Sequence, residues 1–273
     1  MFNAKGRFAD AADKFEGVLR SHPDTPLLYE YLGSCYERVG KSGEAVRIYR
    51  EALTRGLESS EFHLGLARIS MTKGASQAAE AELRTAIELD PLSVVAHHDL
   101  GDVYRGRGDF EKARQQYELA LEINPSYLYS WNGLGMTLGS MKDDQGALEA
   151  FHQAVNVAPE SPLPYLNLAI QLERMGKRAE ARAAYEEFLD LAAGKPDLDR
   201  ERYLAESAIE RLESLTVRRL GERRWRPTQN VGEGLEPSQG SPQGAPLHSR
   251  RRPPDVPTPT PSEGEILVRV HAT

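Results

Sequence analysis

The stretch GDFEKARQQYELALEINP, residues 108–125, has the features of one complete helix. Asp109 is suited to cap its N-terminus, and Pro125 ends it because proline cannot continue an α-helix. Residues 6–23, GRFADAADKFEGVLRSHP, follow the same plan: a glycine, an aromatic, an alanine, a second aromatic and a closing proline. The same pattern at two places in one chain indicates an internal repeat.

The repeat has a period of 34 residues. An alanine recurs at this interval at Ala11, Ala45, Ala79, Ala113, Ala147 and Ala181. A large apolar residue follows each alanine by four positions, at Phe15, Tyr49, Leu83, Tyr117, Phe151 and Tyr185. A leucine followed by glycine or alanine keeps the same interval at Leu32, Leu66, Leu100, Leu134 and Leu168. Several registers kept together predict an array of structural repeats.

Each unit divides into two helical segments. Apolar residues recur at helical spacing in residues 94–106 and again in 109–123. Glycines that allow a positive φ are predicted in the turn between the two helices, at Gly40, Gly74, Gly108 and Gly176. Gly33, Gly101 and Gly135 lie inside first helices, where glycine costs about 1 kcal/mol relative to alanine. We therefore expect close helix contacts there, with the recurrent alanine of the second helix as the counterpart and with the Tyr, Phe and Leu positions filling the wedge.

The pattern is similar to the tetratricopeptide repeat. Unit 94–127 carries the motif residues Leu100, Gly101, Tyr104, Gly108, Ala113, Tyr117, Ala120 and Pro125. Unit 128–161 carries Trp131, Leu134, Gly135, Ala147, Phe151, Ala154 and Pro159. The resemblance covers residues 1 to about 220. It implies an all-α fold, a right-handed α-solenoid of helix-turn-helix repeats.

The repeat register divides the chain into four parts. Residues 1–25 form a partial first repeat with the second helix only, which favours a longer parent protein. Residues 196–221 are amphipathic and predict a C-terminal capping helix, and residues 222–273, rich in Pro, Gly and Ser, predict a disordered tail. Between them we expect five full repeats, at 26–59, 60–93, 94–127, 128–161 and 162–195.

Composition and charge narrow the class of partner. The chain has 273 residues and a formal net charge of −7, and residues 1–220 carry 35 acidic and 27 basic side chains. An acidic stack binds phosphate backbones poorly, so we expect no specific nucleic acid partner. No apolar run has the length of a membrane span. A cytoplasmic location is favoured, although a truncated N-terminus could hide a signal peptide.

The sequence shows no catalytic or metal-binding pattern. His63 and His97 occupy the repeat position of Trp131, so we interpret them as variants of a packed aromatic rather than as ligands. We expect a non-catalytic chain with no cofactor and no metal. Residues 255–273 weakly resemble the N-terminal strand of medium-chain dehydrogenases, but they include none of that family's cofactor or metal positions. We interpret this stretch as a fusion scar or a frame error.

In the resembled family, the first helices line a concave groove. By register, the groove residues here are Glu30, Ser34, Glu37, Arg68, His98, Asp102, Arg105, Tyr129, Asn132, Met136, Leu163, Leu166 and Ile170. The early repeats supply charged groups with an acidic excess. Leu163, Leu166 and Ile170 form an apolar stripe, which predicts a protein contact if it is exposed. We hypothesise that this apolar end supplies most of the affinity for a partner.

The chaperone-binding subset of the family holds a terminal carboxylate with Lys, Asn and Arg. Glu30, Ser34, Tyr31, Val95 and Asp99 stand at those places, which argues against that ligand class. The resemblance implies a non-catalytic scaffold that binds a peptide or a helix of another protein, of unknown identity. An alternative is a C-terminal docking or regulatory appendage of a larger enzyme, because the late repeats resemble the tails of some bacterial sulfatases and transferases. The oligomeric state stays open.

Overall fold

The computed structural model describes the backbone of residues 2–224 and the side chains of residues 6–214. The regular elements of this part are helical: α1 Phe2–Leu19, α2 Pro26–Val39, α3 Ser42–Thr54, α4 Ser60–Thr72, α5 Ser76–Leu89, α6 Val94–Gly106, α7 Phe110–Ile123, α8 Leu128–Ser140, α9 Asp144–Val157, α10 Pro162–Arg174, α11 Arg178–Ala192 and α12 Asp199–Arg224, with a 3-10 turn at Pro196–Leu198. The expected all-α solenoid is confirmed. Most of the predicted tail 222–273, including the dehydrogenase-like stretch 255–273, lies outside the described residues.

Each helix packs against the next one along the chain. The pairs α2–α3, α4–α5, α6–α7, α8–α9 and α10–α11 are helical hairpins, and they fall within the five predicted 34-residue units. We keep that division into repeats, and the partial repeat before it, as a proposal. At the C-terminal end, α12 packs against α11 and buries Ala205, Ala208 and Leu212. Such contacts enclose the apolar face of a last hairpin.

The predicted turn glycines are confirmed. Gly40, Gly74, Gly108 and Gly176 all have positive φ, between 71° and 85°. In the fourth full hairpin, between α8 and α9, Lys142 takes this place with φ 67°. A side chain at such an angle is strained, because its Cβ crowds the backbone. The hairpin geometry is therefore kept at this turn in spite of the residue.

The glycines inside the first helices have a different counterpart from the one we expected. A Cβ added to Gly33 would lie 2.2 Å from the ring of Tyr49, and one added to Gly65 would lie 2.3 Å from the same ring. The ring of Tyr49 thus fills the space between two consecutive first helices. Tyr117 occupies the matching space between Gly101 and Gly133. The expectation that the Tyr positions fill the wedge is confirmed, whereas the atoms nearest to these glycines belong to the rings and not to the recurrent alanines.

A repeated hydrogen bond attaches first helices to the turn that precedes them. The Tyr29 hydroxyl donates to the Pro23 carbonyl oxygen at 2.9 Å, and Trp131 Nε1 donates to the Pro125 carbonyl oxygen at 2.7 Å. His97 Nε2 lies 3.2 Å from the Pro91 carbonyl oxygen, in the same relation. These contacts support the interpretation of His97 as a packed aromatic variant, because its ring repeats the role of Trp131.

Two kinds of helix line opposite sides of the stack. The first helices α2, α4, α6, α8 and α10 contact one another in succession. The second helices of neighbouring hairpins make at most sparse contact with each other within residues 2–224. The first helices therefore form the closer, inner side of the curve and the second helices the outer side. In this part of the chain, no helix has the length and hydropathy needed to cross a membrane.

Candidate partner-binding face

We call the surface formed by the first helices, from α2 to α10, the inner face. Most of the predicted groove residues are half-buried on it: Glu30, Ser34, Glu37, Arg68, His98, Asp102, Arg105, Tyr129, Leu163 and Ile170. Half-buried side chains of this kind are held by neighbours and still reach solvent. Asn132, Met136 and Leu166 are instead buried. These three are removed from the set that a partner could touch.

The apolar end of the inner face does not form the exposed stripe that we predicted. Leu166 is 2% exposed and belongs, with Met136, to the core of the C-terminal repeats. Leu163 and Ile170 pack against the same core. The side chains between α8 and α10 are enclosed by the apolar residues of this core. The hypothesis that this end supplies most of the affinity is therefore wrong.

A buried amide pair joins α8 to α10. Asn167 Nδ2 donates to Asn132 Oδ1 at 3.1 Å, and Asn132 Nδ2 donates to the Leu128 carbonyl oxygen at 3.3 Å. Asn132 is 3% exposed and Asn167 is 2% exposed. Both polar groups of Asn132 are engaged within the stack, so Asn132 stabilises it rather than offering a contact to a partner. Asn167 Oδ1 is buried without a hydrogen-bond partner among the described residues.

Charged groups dominate the early part of the inner face. Arg68 on α4 bridges to Glu37 on α2 through two nitrogens, Nε at 3.1 Å and Nη2 at 3.2 Å. The Tyr49 hydroxyl, whose ring fills the space between these helices, donates to the same Glu37 carboxylate. Ser59, the N-cap of α4, donates through Oγ to Glu30 Oε1 at 2.6 Å. The bonds of Arg68 and Ser59 join neighbouring hairpins and the bond of Tyr49 joins the two helices of one hairpin, so these groups are positioned before any partner arrives.

Asp102 on α6 is the centre of a second polar cluster. It accepts hydrogen bonds from the Tyr117 hydroxyl at 2.6 Å and from Arg105 Nη2 at 2.9 Å. His98 Nε2 lies 3.6 Å from its other oxygen. Burial opposes the charge of Asp102, but His98, Arg105 and the Tyr117 hydroxyl outweigh it and lower the pKa of Asp102. Asp102 is therefore an ionised and fully paired carboxylate.

Asp99, one turn earlier on α6, has no such support. Its Oδ2 is inaccessible to solvent and has no hydrogen-bond partner among the described residues. Burial, reinforced by the charges of Asp102 and Glu37 and opposed by Arg68, raises the pKa of Asp99 to about 7. Asp99 is not among the predicted partner-contacting residues, although the sequence places it at a groove position that holds a terminal carboxylate in the chaperone-binding subset.

Three aromatic rings gather on the same part of the inner face. The ring of His98 lies 5.3 Å from Tyr127 and 6.2 Å from Tyr129, and the two tyrosine rings lie 5.5 Å apart, all between centroids. Burial and the nearby charge of Asp99 raise the pKa of Tyr127 to about 12. Burial lowers the pKa of His98, so the ring is neutral at pH 7. We had missed Tyr127 because it precedes the helix α8 and lies outside its register.

The described residues offer no metal site, since no group of three or more His, Cys, Asp or Glu side chains among them could hold an ion. The Asp143 side chain caps α9 by accepting a hydrogen bond from the Gly146 backbone nitrogen at 2.9 Å. Asp143, which precedes Asp144 in the chain, thus has a structural role. What the inner face offers is recognition by hydrogen bonds, charge and ring faces.

Comparison with known protein families identifies the same kind of repeat. Family profiles described as tetratricopeptide repeat match residues 4–53, 36–94, 94–127 and 165–193, which together cover more than half of the chain. Comparison with curated proteins gives no significant match. Among solved structures, a chain of the APC/C hetero-tetramer Cut9–Hcn1 is similar, with a TM-score of 0.64 and 17% identity. That similarity covers 76% of this chain but only 40% of the other.

Two smaller proteins match over most of their length. The C-terminal part of a TPR repeat-containing protein from Cytophaga hutchinsonii has a TM-score of 0.60 and 18% identity, and the match covers 79% of this chain and 86% of that one. YrrB, described as a TPR protein with an unusual peptide-binding site, has a TM-score of 0.56 and 16% identity over 73% of this chain and 99% of its own. At such identities, the similarities establish the fold.

The hairpin array and its inner face define an α-solenoid of the class that presents a surface to other macromolecules. The motif residues and the matched profiles make the assignment specific: the chain belongs to the tetratricopeptide repeat family. Repeats of this family are typically non-catalytic scaffolds for protein interaction. At this level, the sequence-based prediction of a scaffold is confirmed.

Proposed function

We propose that the inner face binds a peptide or a helix of a partner protein. The observation that supports this most directly is Asp99 Oδ2, a carboxylate oxygen without a hydrogen-bond partner in the described part of the chain. An inaccessible polar atom left in this state costs about 1–3 kcal/mol. Because Asp99 is half-buried, a donor or a positive charge of a partner beside its carboxylate would offset part of that cost on binding.

The arrangement around Asp99 supports the same proposal. Glu37 and Arg68 lie on one side of it along the stack, and Tyr127 and Tyr129 lie on the other. Glu37 and Arg68 come from successive hairpins and are held by a bond between them, and the rings of Tyr127 and Tyr129 pack against each other and against His98. A preorganised row of polar and aromatic groups binds with little loss of side-chain entropy.

The reach of this surface fits a short segment. Neighbouring packed helices have axes about 8–10 Å apart, so the three steps from α2 to α8 span about 27 Å. An extended chain covers about 3.3 Å per residue, and about eight residues would therefore follow the inner face from α2 to α8. The description of YrrB as having a peptide-binding site is in line with such use of the fold. The alternative of a docking appendage of a larger enzyme gains no support from a particular contact and stays a prediction.

A pair of matched tyrosine variants tests the proposal. The full-length chain, with Tyr129→Ala or with Tyr203→Ala, is immobilised and exposed to a cell extract, and the retained proteins are quantified by mass spectrometry. Tyr129 is on the inner face, whereas Tyr203 lies on α12 and is 68% exposed. We expect retained proteins that are lost with Tyr129→Ala and kept with Tyr203→Ala. Equal retention by both variants would show that the inner face is not the binding surface.

A further inference from the structure

We infer that the partner segment presents an arginine or lysine side chain to Asp99. This inference rests on the proposed function and names the chemistry of the ligand for that same face. It is carried by two independent features: a carboxylate with an unpartnered, inaccessible oxygen, and a group of three aromatic rings beside it.

The charges of the inner face do not balance. From α2 to α6 it carries five carboxylates and two guanidinium groups: Glu30, Glu37, Glu61, Asp99 and Asp102 against Arg68 and Arg105. Both guanidinium groups are already engaged, Arg68 with Glu37 and Arg105 with Asp102. Of the two carboxylates on α6, Asp99 and Asp102, Asp99 is the one for which no counter-ion is left.

Each class of incoming side chain acts differently on Asp99. An acidic side chain would add repulsion to that of Asp102 and Glu37, which already act on this carboxylate. An apolar side chain would cover the carboxylate and supply no donor. An ammonium or guanidinium group beside the half-buried Asp99 supplies the missing positive charge, and hydrogen bonds between ionised groups are the stronger kind. The site therefore selects a cation.

The aromatic group favours the same ligand. A cation gains attraction when it lies within about 6 Å of the face of an aromatic ring. His98, Tyr127 and Tyr129 have centroids between 5.3 and 6.2 Å apart, so one side chain entering beside Asp99 would contact several rings. The hydroxyls of both tyrosines have no hydrogen-bond partner within residues 6–214, which leaves them free to accept from the ligand.

The test uses random twelve-residue peptides displayed on phage, selected against the immobilised full-length chain. Three proteins are compared: the wild type, Asp99→Asn and Asp190→Asn. Asp190 is an exposed acid on the second helix α11, so its variant makes the same change of charge on the outer side. We expect the wild type and Asp190→Asn to select peptides that share one arginine or lysine. Selection of those peptides should fall at least tenfold with Asp99→Asn.

A second measurement tests whether the cation of the peptide interacts with Asp99 itself. The best selected peptide is titrated by calorimetry beside a copy in which citrulline, which keeps the shape of arginine without its charge, or acetyl-lysine replaces the cationic residue. On the wild type, the replacement should weaken binding tenfold or more. On Asp99→Asn it should have little effect, because residues in contact do not act additively. Equal losses on both proteins would place the cation elsewhere and overturn the inference.

The outcomes separate the inference from the proposed function. Peptides that lack a shared cation, but lose binding with Tyr129→Ala and not with Tyr203→Ala, would refute the inference and leave the inner face as the binding surface. If no peptide is selected by any of the three proteins, or if the selected peptides are insensitive to Tyr129→Ala, then the proposed function fails and the inference fails with it.

Discussion

Replacing Asp99 with asparagine should stabilise the free protein in neutral and alkaline solution. The wild-type carboxyl must ionise in a place that resists its charge, because its Oδ2 is inaccessible and Asp102 and Glu37 repel it. Asparagine keeps the shape of the side chain and carries no charge. The variant therefore removes the free-energy cost of ionisation and little else.

The size of the effect follows from the pKa. The folded state raises the pKa of Asp99 from 3.8 to about 7. A shift of about three units corresponds to about 4 kcal/mol, and because the half-buried side chain is partly screened by solvent, we expect about 2 kcal/mol. Because the folded state raises the pKa, the free-energy cost of ionisation applies at pH values above the unfolded-state pKa. The cost is absent below about pH 4, grows as the pH rises, and is complete above about pH 8.

Other groups near Asp99 also titrate. The comparison of the variant with the wild type has to cancel their contributions to the pH dependence of stability. The charged and titratable groups around it belong to α2, α4, α6 and the turn before α8, and are Glu37, Arg68, His98, Asp102 and Tyr127. Burial lowers the pKa of His98, which destabilises the fold as the pH falls, the opposite direction to Asp99. All five are present in both proteins, so the difference between the variant and the wild type isolates Asp99.

The assay is urea unfolding of both proteins, followed by circular dichroism, at several pH values from 5.5 to 8.5. We expect the advantage of Asp99→Asn in the free energy of unfolding to grow with pH, by about 1 kcal/mol or more across this range. Two parallel pH profiles would refute the reasoning. They would mean that Asp99 ionises in the folded chain as easily as in the unfolded one.

Three further substitutions, the first with a control variant, test the packing of the repeats by thermal unfolding. Gly33→Ala should lower the free energy of unfolding by about 1–3 kcal/mol, because its Cβ would overlap the ring of Tyr49. Gly43→Ala, where a Cβ meets nothing within 4 Å, should be neutral or slightly stabilising. Equal effects of the two substitutions would contradict the role assigned to the ring. Lys142→Gly should stabilise by about 1 kcal/mol, since φ is 67° there, and a loss would show that this angle is not strained. Ala113→Leu, at a position with 0% exposure, should cost about 1–3 kcal/mol, and an unchanged melting temperature would mean that the repeat register is wrong.

The fold could be predicted from the sequence because its rules are local and repeated. A glycine with positive φ ends the first helix of four hairpins, and those positions were readable from their spacing alone. The same logic identified His97 as an aromatic variant, which the structure supports through its bond to the Pro91 carbonyl oxygen. Periodicity also placed Tyr49, 16 residues after Gly33, at a position that fills the wedge between helices. It did not show that this ring, rather than the recurrent alanine, lies nearest to the glycine.

The candidate site was only partly predictable, for a physical reason. Register shows which way a side chain points, but not how closely the next helix approaches. Leu166 lies at an inner-face position by register and is nevertheless enclosed, since it packs in the core of the C-terminal repeats. Asp99 shows the reverse case. An aspartate on a helix is ordinary in a sequence, and its unusual state appears only when its neighbours are known.

The most direct test of the central claim is site-specific photocrosslinking from the two sides of the stack. A benzoylphenylalanine is placed at Tyr129 on the inner face, or at Leu119, which is 39% exposed on the second helix α7. Each full-length protein is illuminated with a peptide obtained from the display selection, and the adducts are counted by mass spectrometry. We predict an adduct at position 129 and none above background at position 119. Adducts at position 119 without adducts at 129 would contradict the assignment of the inner face as the binding surface.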